Sequence, residues 1–391
     1  MIRKIKVLHV IYSFEVGGIE TLILELSNAL DTKKYEFHIL ILTNDKIKMV
    51  KSLNEEIIVH IIPVPSNKIK TASGLYRAFI GLYNIFRALK ADIVHTHITS
   101  FPLLFILIAL KCSNANSNHV RTVHTTGLFY ERARGLKTLV KFWADKLAMI
   151  ILPTRIISVS KLVHDQNKSF FSNIAADLTL IRNGINLKKF DKAKHAHVSK
   201  QKFGVTDSAI VVSYVARLST EKNHMHLVDI WPTILSKVPD AHLLFAGSGE
   251  LLETVRVKVN ELGLEEKITF LGAINNVPDL LSISDVGLFV SSYEGFGLVL
   301  IENFAMQVPV VASNIDSFKE VILHGQNGFL VSLEDRQEFA DVIIKLCTDA
   351  KLREKIANNA CVDAQHYNLD EMIQKYTDYY DEVFKSSVSD D

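Results

Sequence analysis

The chain has 391 residues, 48% of them hydrophobic, and a formal net charge of +1. This length is too great for one hydrophobic core and predicts two domains of a soluble enzyme. Its three cysteines, Cys112, Cys347 and Cys361, have neither metal nor redox spacing, so a reduced cytosolic setting is expected. The apolar stretch Phe101–Leu110 is too short to span a bilayer and predicts a buried helix.

Charge is distributed unevenly along the chain. Residues 1–190 contain 26 Lys and Arg against 13 Asp and Glu, whereas the remainder contains 18 against 30. This split predicts that the first half meets an anionic surface. No aromatic-interleaved basic motif of a nucleic-acid-binding module is present, so nucleic acid is not an expected partner. The segment Arg132–Lys146 favours either an amphipathic helix lying on anionic lipid or a basic helix face in solvent.

Strand-like runs alternate with helical patterns almost throughout the first half. The run after Arg3, Lys4 and Lys6 breaks at Glu15 without a small-residue cleavage site, so it predicts a first strand instead of a signal peptide. The predicted strands are Lys6–Ile11, Phe37–Leu42, Ile57–Ile62, Asp92–His95, Val120–His124, Ile156–Val159 and Leu178–Ile181. The clearest helical patterns are Ile19–Leu30, Gly74–Leu89 and Lys137–Ile151.

A second alternating series follows a polar break near Asp191–Lys202. Its predicted strands are Ile210–Val215, His242–Ala246, Ile268–Leu271, Val286–Val290, Val308–Ala312 and Gly328–Val331. Two such series predict an α/β fold of two doubly wound, Rossmann-like domains, residues 1–188 and 189–369, with ligand in a central cleft at the carboxyl ends of strands. A C-terminal helix, 370–391, carries Ile373, Tyr376, Tyr380 and Phe384 in one stripe and is expected to pack back on the first domain.

The most informative segment is Glu294–Glu302. A strand, a glycine loop and a helix follow one another here, so backbone N–H groups and the positive end of a helix dipole are directed at an anion. The flanking carboxylates of Glu294 and Glu302 suit a ligand that is part phosphate and part polyol, such as a nucleotide-sugar. The alternative is a generic glycine turn with surface glutamates.

Two other glycine loops follow strands. Gly17-Gly18 precedes a helix and suits phosphate or close substrate approach, and Gly247-Ser-Gly249 is similar. Both lack the third glycine of a dinucleotide fingerprint, and no ribose-binding acid is evident after the second strand. A dinucleotide-dependent dehydrogenase is therefore disfavoured.

The loop from Arg217 to Lys222 lies between a predicted strand and the next helix. Two permanent cations in such a loop can converge on a diphosphate. Arg would bind through two hydrogen bonds from its planar guanidinium, and Lys through the point charge of its ammonium. The alternative is a pair of ordinary surface cations.

In combination these motifs resemble the family 4 retaining glycosyltransferases of the glycosyltransferase-B fold, over nearly the whole chain. Glu294 with Glu302 and the Arg217/Lys222 pair are the specific part. Other segments occur in the same order along the chain as in members of this family: Gly17-Gly18, Asp92–His97, Val123-His124, Ile157–Ser160, Asn183–Ile185, Gly247–Glu250 and Phe270–Gly272.

The resemblance implies a set of site residues. Arg217 and Lys222 would bind the donor diphosphate, Glu302 the nucleotide ribose, and Glu294 the hydroxyls of the donor sugar. The residues expected to bind the donor are Gly18, Arg217, Lys222, Gly249, Glu294, Gly295, Phe296, Gly297, Leu298 and Glu302. Those given a catalytic role are His124, Glu294, Arg217 and Lys222, with His124 near the reacting sugar.

Two further residues, Gly17 and His97, are placed on the acceptor side. His95 and His97 could suggest a metal pair, but no third ligand is evident nearby, so His95 is interpreted as structural and no metal is expected. No cofactor is expected either.

The chain has no Asp-x-Asp triplet, so a metal-chelated diphosphate is not suggested, and the cations and helix dipole would stabilise the leaving group. Family membership implies retention at the anomeric carbon. The similarity favours a UDP-sugar donor, with a GDP-sugar second, and a lipid-linked saccharide acceptor of bacterial O-antigen, capsular or exopolysaccharide synthesis. The enzyme would then lie on the inner face of the cytoplasmic membrane.

Asn303 and Val308 depart from the family pattern where Ala and Gly are usual, and these changes bear on the identity of the donor. Two alternatives remain open. One is a nucleotide-sugar 2-epimerase of the same fold, and the other is a catalytically inert partner subunit.

Overall fold

The computed structural model describes residues 3–15, 17–69, 71–124, 136–175 and 177–388. The chain divides into two compact units. Unit 1 is Met1–Asn183 with Asp370–Asp391, and unit 2 is Gly184–Leu369. The predicted boundary after residue 188 lies a few residues beyond this division.

Within its described residues, unit 1 has one seven-stranded parallel sheet in the order β3-β2-β1-β4-β5-β6-β7. The strands are β1 (Ile5–Ile11), β2 (Tyr35–Ile41), β3 (Ile58–Ile61), β4 (Ile93–Thr96), β5 (Asn118–Val123), β6 (Thr154–Ser158) and β7 (Asp177–Leu180). The helices between them are α1 (Gly18–Ala29), α2 (Ala72–Leu89), α3 (Ser100–Cys112), α4 (Leu136–Ile151) and α5 (Lys161–Phe171). Each strand predicted in this half is present, with ends that differ by at most two residues.

The central strands of unit 1 are buried along almost their whole length because helices cover both faces of a doubly wound sheet. In β1, every residue from Val7 to Ile11 is buried. Strand order reverses between β1 and β4, since the chain builds outward from β1 to β3 and then returns to the other side. The carboxyl ends of β1 and β4 therefore form the topological switch point of this unit, where such sheets bind ligands.

Unit 2 has a six-stranded parallel sheet, again within the described residues, in the order β10-β9-β8-β11-β12-β13. Its strands are β8 (Ile210–Val215), β9 (Ala241–Ala246), β10 (Ile268–Gly272), β11 (Val286–Phe289), β12 (Val310–Ser313) and β13 (Phe329–Val331). Its helices are α6 (His224–Leu235), α7 (Leu252–Glu261), α8 (Val277–Ser282), α9 (Leu298–Ala305), α10 (Asp316–Lys319), α11 (Arg336–Thr348) and α12 (Ala350–Ala364). The order reverses between β8 and β11, so the switch point of unit 2 lies at the carboxyl ends of these two strands.

One predicted strand is displaced. Val308–Ala312 was expected as a strand, whereas β12 begins at Val310. The Val308 N–H donates to the Asn303 carbonyl, 2.9 Å away, and thus closes the end of α9. Pro309 has no N–H to donate to a sheet, although its carbonyl accepts from Gly287.

The C-terminal helix, α13 (Leu369–Val388), belongs almost entirely to unit 1. Tyr376 and Tyr380 of its predicted stripe are fully buried, while Ile373 and Phe384 are only half-buried. The Tyr380 hydroxyl lies within hydrogen-bonding distance of His9 on β1 and His95 on β4. The helix is therefore anchored on the central strands of this unit.

No helix among the described residues is both long enough and apolar enough to cross a membrane. The stretch predicted as a buried helix forms most of α3, in which Leu103, Ile106 and Leu107 are fully buried. Phe101 and Ile108 of the same helix are exposed, so the prediction of burial is wrong for its outer side.

Candidate functional site

The two predicted diphosphate-binding cations lie in the loop that follows β8. Lys222 ends a short 3₁₀ turn, Thr220–Lys222, and Asn223 in the left-handed region (φ 47°) turns the chain into α6. The Arg217 side chain is 71% exposed, and its nearest ion pair is with Glu221 at 3.6 Å. The Lys222 side chain is only 18% exposed. The two cations therefore differ: Arg217 reaches into solvent, and Lys222 is held inside the site.

The predicted glycine loop follows β11 and leads into α9. Gly297 occupies the helix N-cap with φ 83°, a conformation that disfavours side chains with a Cβ, and no side chain caps the helix. The Leu300 N–H donates to the Gly297 carbonyl at 2.9 Å, and the N–H groups of Leu298 and Val299, which precede it, can serve another acceptor. Phe296 is buried, and its ring packs against Tyr367 at 5.5 Å between centroids, so it anchors the loop. Leu298 is the first residue of the helix.

The cation loop and the glycine loop meet at the switch point of unit 2. The Lys222 ammonium contacts the Glu294 carboxylate directly. Ser291 lies beside both groups, 3.4 Å from Lys222 Nζ and 3.3 Å from Glu294 Oε1. The Asn223 side chain also donates to the Val290 carbonyl at 2.8 Å. The structure thus brings together Lys222 and Glu294, which are 72 residues apart in the sequence.

Burial changes the protonation of two residues in this region. Burial lowers the pKa of Lys222 to about 8, although the nearby Glu221 carboxylate opposes the shift. Burial raises the pKa of Glu302, in the second turn of α9, to about 7, and Lys189 opposes that shift. Both groups therefore titrate close to neutral pH, which is typical of ligand-binding sites.

The loop after β9 supports the cation loop. A Cβ at Gly249 would lie 2.2 Å from the Leu218 carbonyl oxygen, and one at Gly247 would lie 1.9 Å from that of Ala216. Ser248 accepts a hydrogen bond from the Leu218 N–H at 3.1 Å. Glycine is thus required here so that the two backbones can approach each other.

The residues predicted in unit 1 gather at its own switch point. Gly17 caps α1, and the exposed Gly18 is the first residue of that helix, after β1. His97 follows β4, and its N–H donates to the Val10 carbonyl on β1 at 3.1 Å. His124 directly follows β5, and its Nε2 lies 2.9 Å from His97 Nδ1.

The structure adds a third histidine that the sequence analysis missed. His9 is the register partner of His95 in the β1–β4 pair, and its Nδ1 lies 2.9 Å from His97 Nε2. Burial lowers the pKa of His9 and of His124 to about 3, and His124 lowers that of His9 further. Burial and the neighbouring histidines also hold the pKa values of His95 and His97 well below the usual range. All four imidazoles are therefore neutral at neutral pH.

One ring nitrogen from each of His9, His95 and His97 lies within 4.8 Å of the other two, so the expectation that no third ligand is nearby is wrong. However, both nitrogens of each ring have hydrogen-bond partners within unit 1. The His95 and His97 rings are stacked, with 4.4 Å between their centroids and 30° between their planes. This geometry favours a hydrogen-bonded cluster over a metal centre.

The outer surface of the α2–α3–α4 layer is unusually apolar. In each of these helices large hydrophobic side chains are exposed: Leu75, Tyr76, Ile80, Phe101, Ile108, Leu139, Val140, Trp143, Leu147 and Ile150. We call this set the apolar face. The one acidic residue in the three helices is Asp145, which is buried against Arg121 at 3.3 Å and accepts from the Ser100 N–H at 2.6 Å.

Lysines border the apolar face on α4. The ammonium of Lys146 lies 4.7 Å from the centroid of the Phe142 ring and 5.6 Å from that of Trp143. The start of the predicted segment Arg132–Lys146 falls outside the described residues, and α4 covers it from residue 136. The exposed side chains of α4 are apolar, and Lys141 and Lys146 beside them are half-buried.

Two family profiles match the chain. Residues 16–189 match Glycosyltransferase Family 4, and residues 197–362 match Glycosyl transferases group 1. Among solved structures, Anabaena HepE in complex with UDP-glucose superposes with a TM-score of 0.79 at 18% identity, covering 96% of this chain and 99% of HepE. This likeness places the two Rossmann-like units in the glycosyltransferase-B fold class. The chain belongs to the family 4 glycosyltransferases.

Curated relatives are similar over most of their length. An Escherichia coli UDP-Gal:α-D-GlcNAc-diphosphoundecaprenol α-1,3-galactosyltransferase is 24% identical over 387 residues, which is 96% of this chain and 97% of the relative. The capsular polysaccharide biosynthesis glycosyltransferase CapM of Staphylococcus aureus is 28% identical, covering 80% of this chain and 81% of CapM.

Proposed function

We propose that this glycosyltransferase is a retaining, metal-independent hexosyltransferase. It moves a sugar from a UDP-sugar to a lipid-linked saccharide in the synthesis of a bacterial surface polysaccharide. The observation that carries the proposal is the meeting of the Lys222 loop and the Glu294 loop at a helix N-terminus. The E. coli relative, whose name specifies a UDP-sugar and a lipid diphosphate acceptor, supports the choice of substrates.

In this proposal, unit 2 binds the donor. Arg217, Lys222 and the N–H groups of Gly295 to Leu298 receive the diphosphate, because all of them present positive charge to anions. Glu302 accepts hydrogen bonds from ribose hydroxyls, and Glu294 accepts them from the sugar. In unit 1, the family resemblance assigns His124 to the sugar, and Gly17 and His97 to the acceptor.

Cleavage of the bond from the anomeric carbon to the diphosphate oxygen leaves negative charge on that oxygen. A preorganised ammonium, guanidinium and helix N-terminus stabilise this charge more in the transition state than in the ground state. The acceptor oxygen forms the new bond on the same face of the sugar, and its proton passes to the departing phosphate oxygen. No additional base is needed, which agrees with the low pKa of His124.

The apolar face supports an association of unit 1 with the inner surface of the cytoplasmic membrane. Exposed Trp, Phe, Leu and Ile side chains enter the boundary between headgroups and acyl chains, and lysines at the margin attract anionic headgroups. A lipid-linked acceptor is held at the same interface, so this docking would bring enzyme and acceptor together.

The test is a two-stage assay. Thermal shift with UDP-, GDP- and ADP-sugars identifies the donor class, and the best donor is then incubated with a saccharide on a synthetic lipid diphosphate. Transfer with the donor's anomeric configuration kept, as read by NMR, supports the proposal. Inversion, a preference for GDP-sugars, or formation of a 2-epimer without acceptor would each contradict it.

A further inference from the structure

Seven side chains of unit 1 form one continuous hydrogen-bonded chain from the candidate site to α13. Its successive links are 2.9, 2.9, 3.0, 2.7, 2.7 and 3.4 Å long. In order, the members of this buried relay are His124, His97, His9, Tyr380, His95, Thr122 and Tyr376. From His9 onward every member is at most 1% exposed, so solvent does not compete for these groups.

The relay has two possible directions. A neutral imidazole has one N–H and one bare nitrogen, so a ring that receives a hydrogen bond at one nitrogen donates from the other. A hydroxyl has one proton and can accept two hydrogen bonds, but a buried hydroxyl that accepts from both neighbours leaves its own proton without an acceptor. All its hydrogen bonds therefore point the same way, either inward from His124 or outward from Tyr376. A reversal within the relay would leave a buried polar atom unsatisfied.

The inner end decides between the two directions. Within the described part of the chain, Thr122 is the hydrogen-bond partner of the buried Tyr376 hydroxyl. If the relay points inward, Thr122 donates to this hydroxyl, whose own proton is left without an acceptor. If it points outward, Tyr376 donates to Thr122, every donor from Tyr376 to His97 has an acceptor, and the last donor, His124 Nδ1–H, belongs to a half-buried residue at the outer end. The outward direction is favoured because it leaves no buried donor unsatisfied.

The outward direction has a consequence for His124. His97 Nδ1–H donates to His124 Nε2, so the proton of the neutral His124 ring lies on Nδ1. We propose that Tyr376 and Tyr380 are positioning residues that hold His124 as the Nδ1–H tautomer, so that it presents a hydrogen-bond donor to an oxygen of the sugar donor. This inference rests on the proposed function, in which His124 contacts the reacting sugar.

Tyr380 is the central link, since its hydroxyl joins His9 Nε2 at 3.0 Å to His95 Nδ1 at 2.7 Å. Tyr380→Phe keeps the ring but removes the hydroxyl that joins the two histidines. The hydrogen bonds among His9, His97 and His124 are then no longer fixed in one direction. Tyr376→Phe removes the hydroxyl whose proton sets the direction. Tyr379→Phe is the matched control, because Tyr379 is buried on the same helix but donates to Asp177 at 3.0 Å, outside the relay.

The test is two-bond ¹H–¹⁵N correlation NMR of the free protein with ¹⁵N-labelled histidine. The His124 signals are assigned by their loss in His124→Gln. We expect a protonated Nδ1 and a bare Nε2 for His124 in the wild type and in Tyr379→Phe. A mixture of tautomers is expected in Tyr380→Phe and in Tyr376→Phe. In the transfer assay, Tyr380→Phe should lower kcat about tenfold without changing the KM of the donor, since the lost interaction acts on the transition state.

An Nε2–H tautomer of His124 in the wild type would overturn the inference, as would an unchanged tautomer in Tyr380→Phe. Stoichiometric Zn²⁺ that shifts the His9, His95 and His97 signals would also overturn it, because a metal takes the nitrogens that the relay uses. The NMR result needs no substrate. A protein that fails to transfer sugar would contradict the proposed function and leave the tautomer measurement to decide this inference.

Discussion

The ammonium of Lys222 and the carboxylate of Glu294 form an ion pair. The two groups proposed to bind diphosphate and sugar thus neutralise each other, so a bound donor has to compete with this pair. Their side chains are 18% and 22% exposed, so the pair is screened only partly by solvent.

This competition predicts opposite effects of one substitution. Glu294→Gln frees Lys222 for phosphate, so UDP should bind about two- to fivefold more tightly, the range for losing a partly screened ion pair. Turnover should fall because the amide is a poorer partner for the sugar hydroxyls. Calorimetry with UDP and initial rates with UDP-sugar separate the two effects. Weaker UDP binding in Glu294→Gln would contradict the competition.

The two cations should contribute unequally. Lys222→Ala should cost roughly 2–4 kcal/mol of transition-state stabilisation, the range for one preorganised donor to a developing anion. Arg217→Ala should cost less, because its side chain is 71% exposed. Arg217→Lys should restore only part of the activity lost in Arg217→Ala, since an ammonium cannot make the two-point contact of a planar guanidinium with phosphate oxygens. The double variant should lose less than the sum, because both groups act on one diphosphate. Near-normal rates for Lys222→Ala would rule out this assignment.

Donor affinity should depend on pH through Glu302. Its pKa is raised to about 7, so the carboxylate that accepts ribose hydroxyls is present above pH 7 and is lost as pH falls. Binding of a UDP-sugar, measured by calorimetry, should weaken by up to about tenfold from pH 8 to pH 6. In Glu302→Gln this weakening at low pH should disappear, and only the opposite dependence should remain, because Lys222, with a pKa of about 8, gains its proton as pH falls. An identical pH profile in the variant would show that another group titrates.

The stability of unit 1 should decrease in mild acid. His9 and His124 have folded pKa values of about 3, far below 6.5, so their stabilising effect is complete above pH 6.5 and is lost as pH falls toward 3. Each such histidine lowers the free energy of unfolding by up to about 1.4 kcal/mol per pH unit in this range. Hydrogen exchange of β1 and β4 amides, corrected for intrinsic rates, should therefore accelerate between pH 7 and pH 5. Protection that does not change in this range would contradict neutral, buried imidazoles.

The apolar face should bind anionic lipid. Trp143 and Ile150 are 59% and 66% exposed, and burial of each in a membrane contributes about 1.5–3 kcal/mol, so Trp143→Glu and Ile150→Glu should each weaken liposome binding at least about tenfold. The matched control is Val362→Glu in unit 2, where the native side chain is 67% exposed. Equal loss in all three variants, or equal binding to neutral liposomes, would argue against this surface.

The sequence predicted the strands, the main helices and the two loops of unit 2 because these depend on local patterns. Apolar runs bounded by glycine and polar turns define parallel strands, and Gly297 marks the start of α9. The start of β12 was misplaced because Val308 is as apolar as the strand that follows, and its role in closing α9 depends on the carbonyl of Asn303.

The rest depended on long-range contacts. His9 lies within an apolar run and belongs to no motif, so its proximity to His97 follows only from the pairing of β1 with β4. Tyr380 joins this group from 371 residues away. The helical period of α4 predicted an amphipathic helix. It did not predict which side faces solvent, because that depends on Asp145 being buried against Arg121.

The most direct test of the central claim is the initial rate of sugar transfer from a UDP-sugar to a lipid-diphosphate saccharide in excess EDTA. We predict that the wild type keeps its rate, that the product retains the donor's anomeric configuration, and that Lys222→Ala loses most of the activity. A wild-type rate that is abolished by EDTA and restored by Mg²⁺, or a product of inverted configuration, would contradict the account.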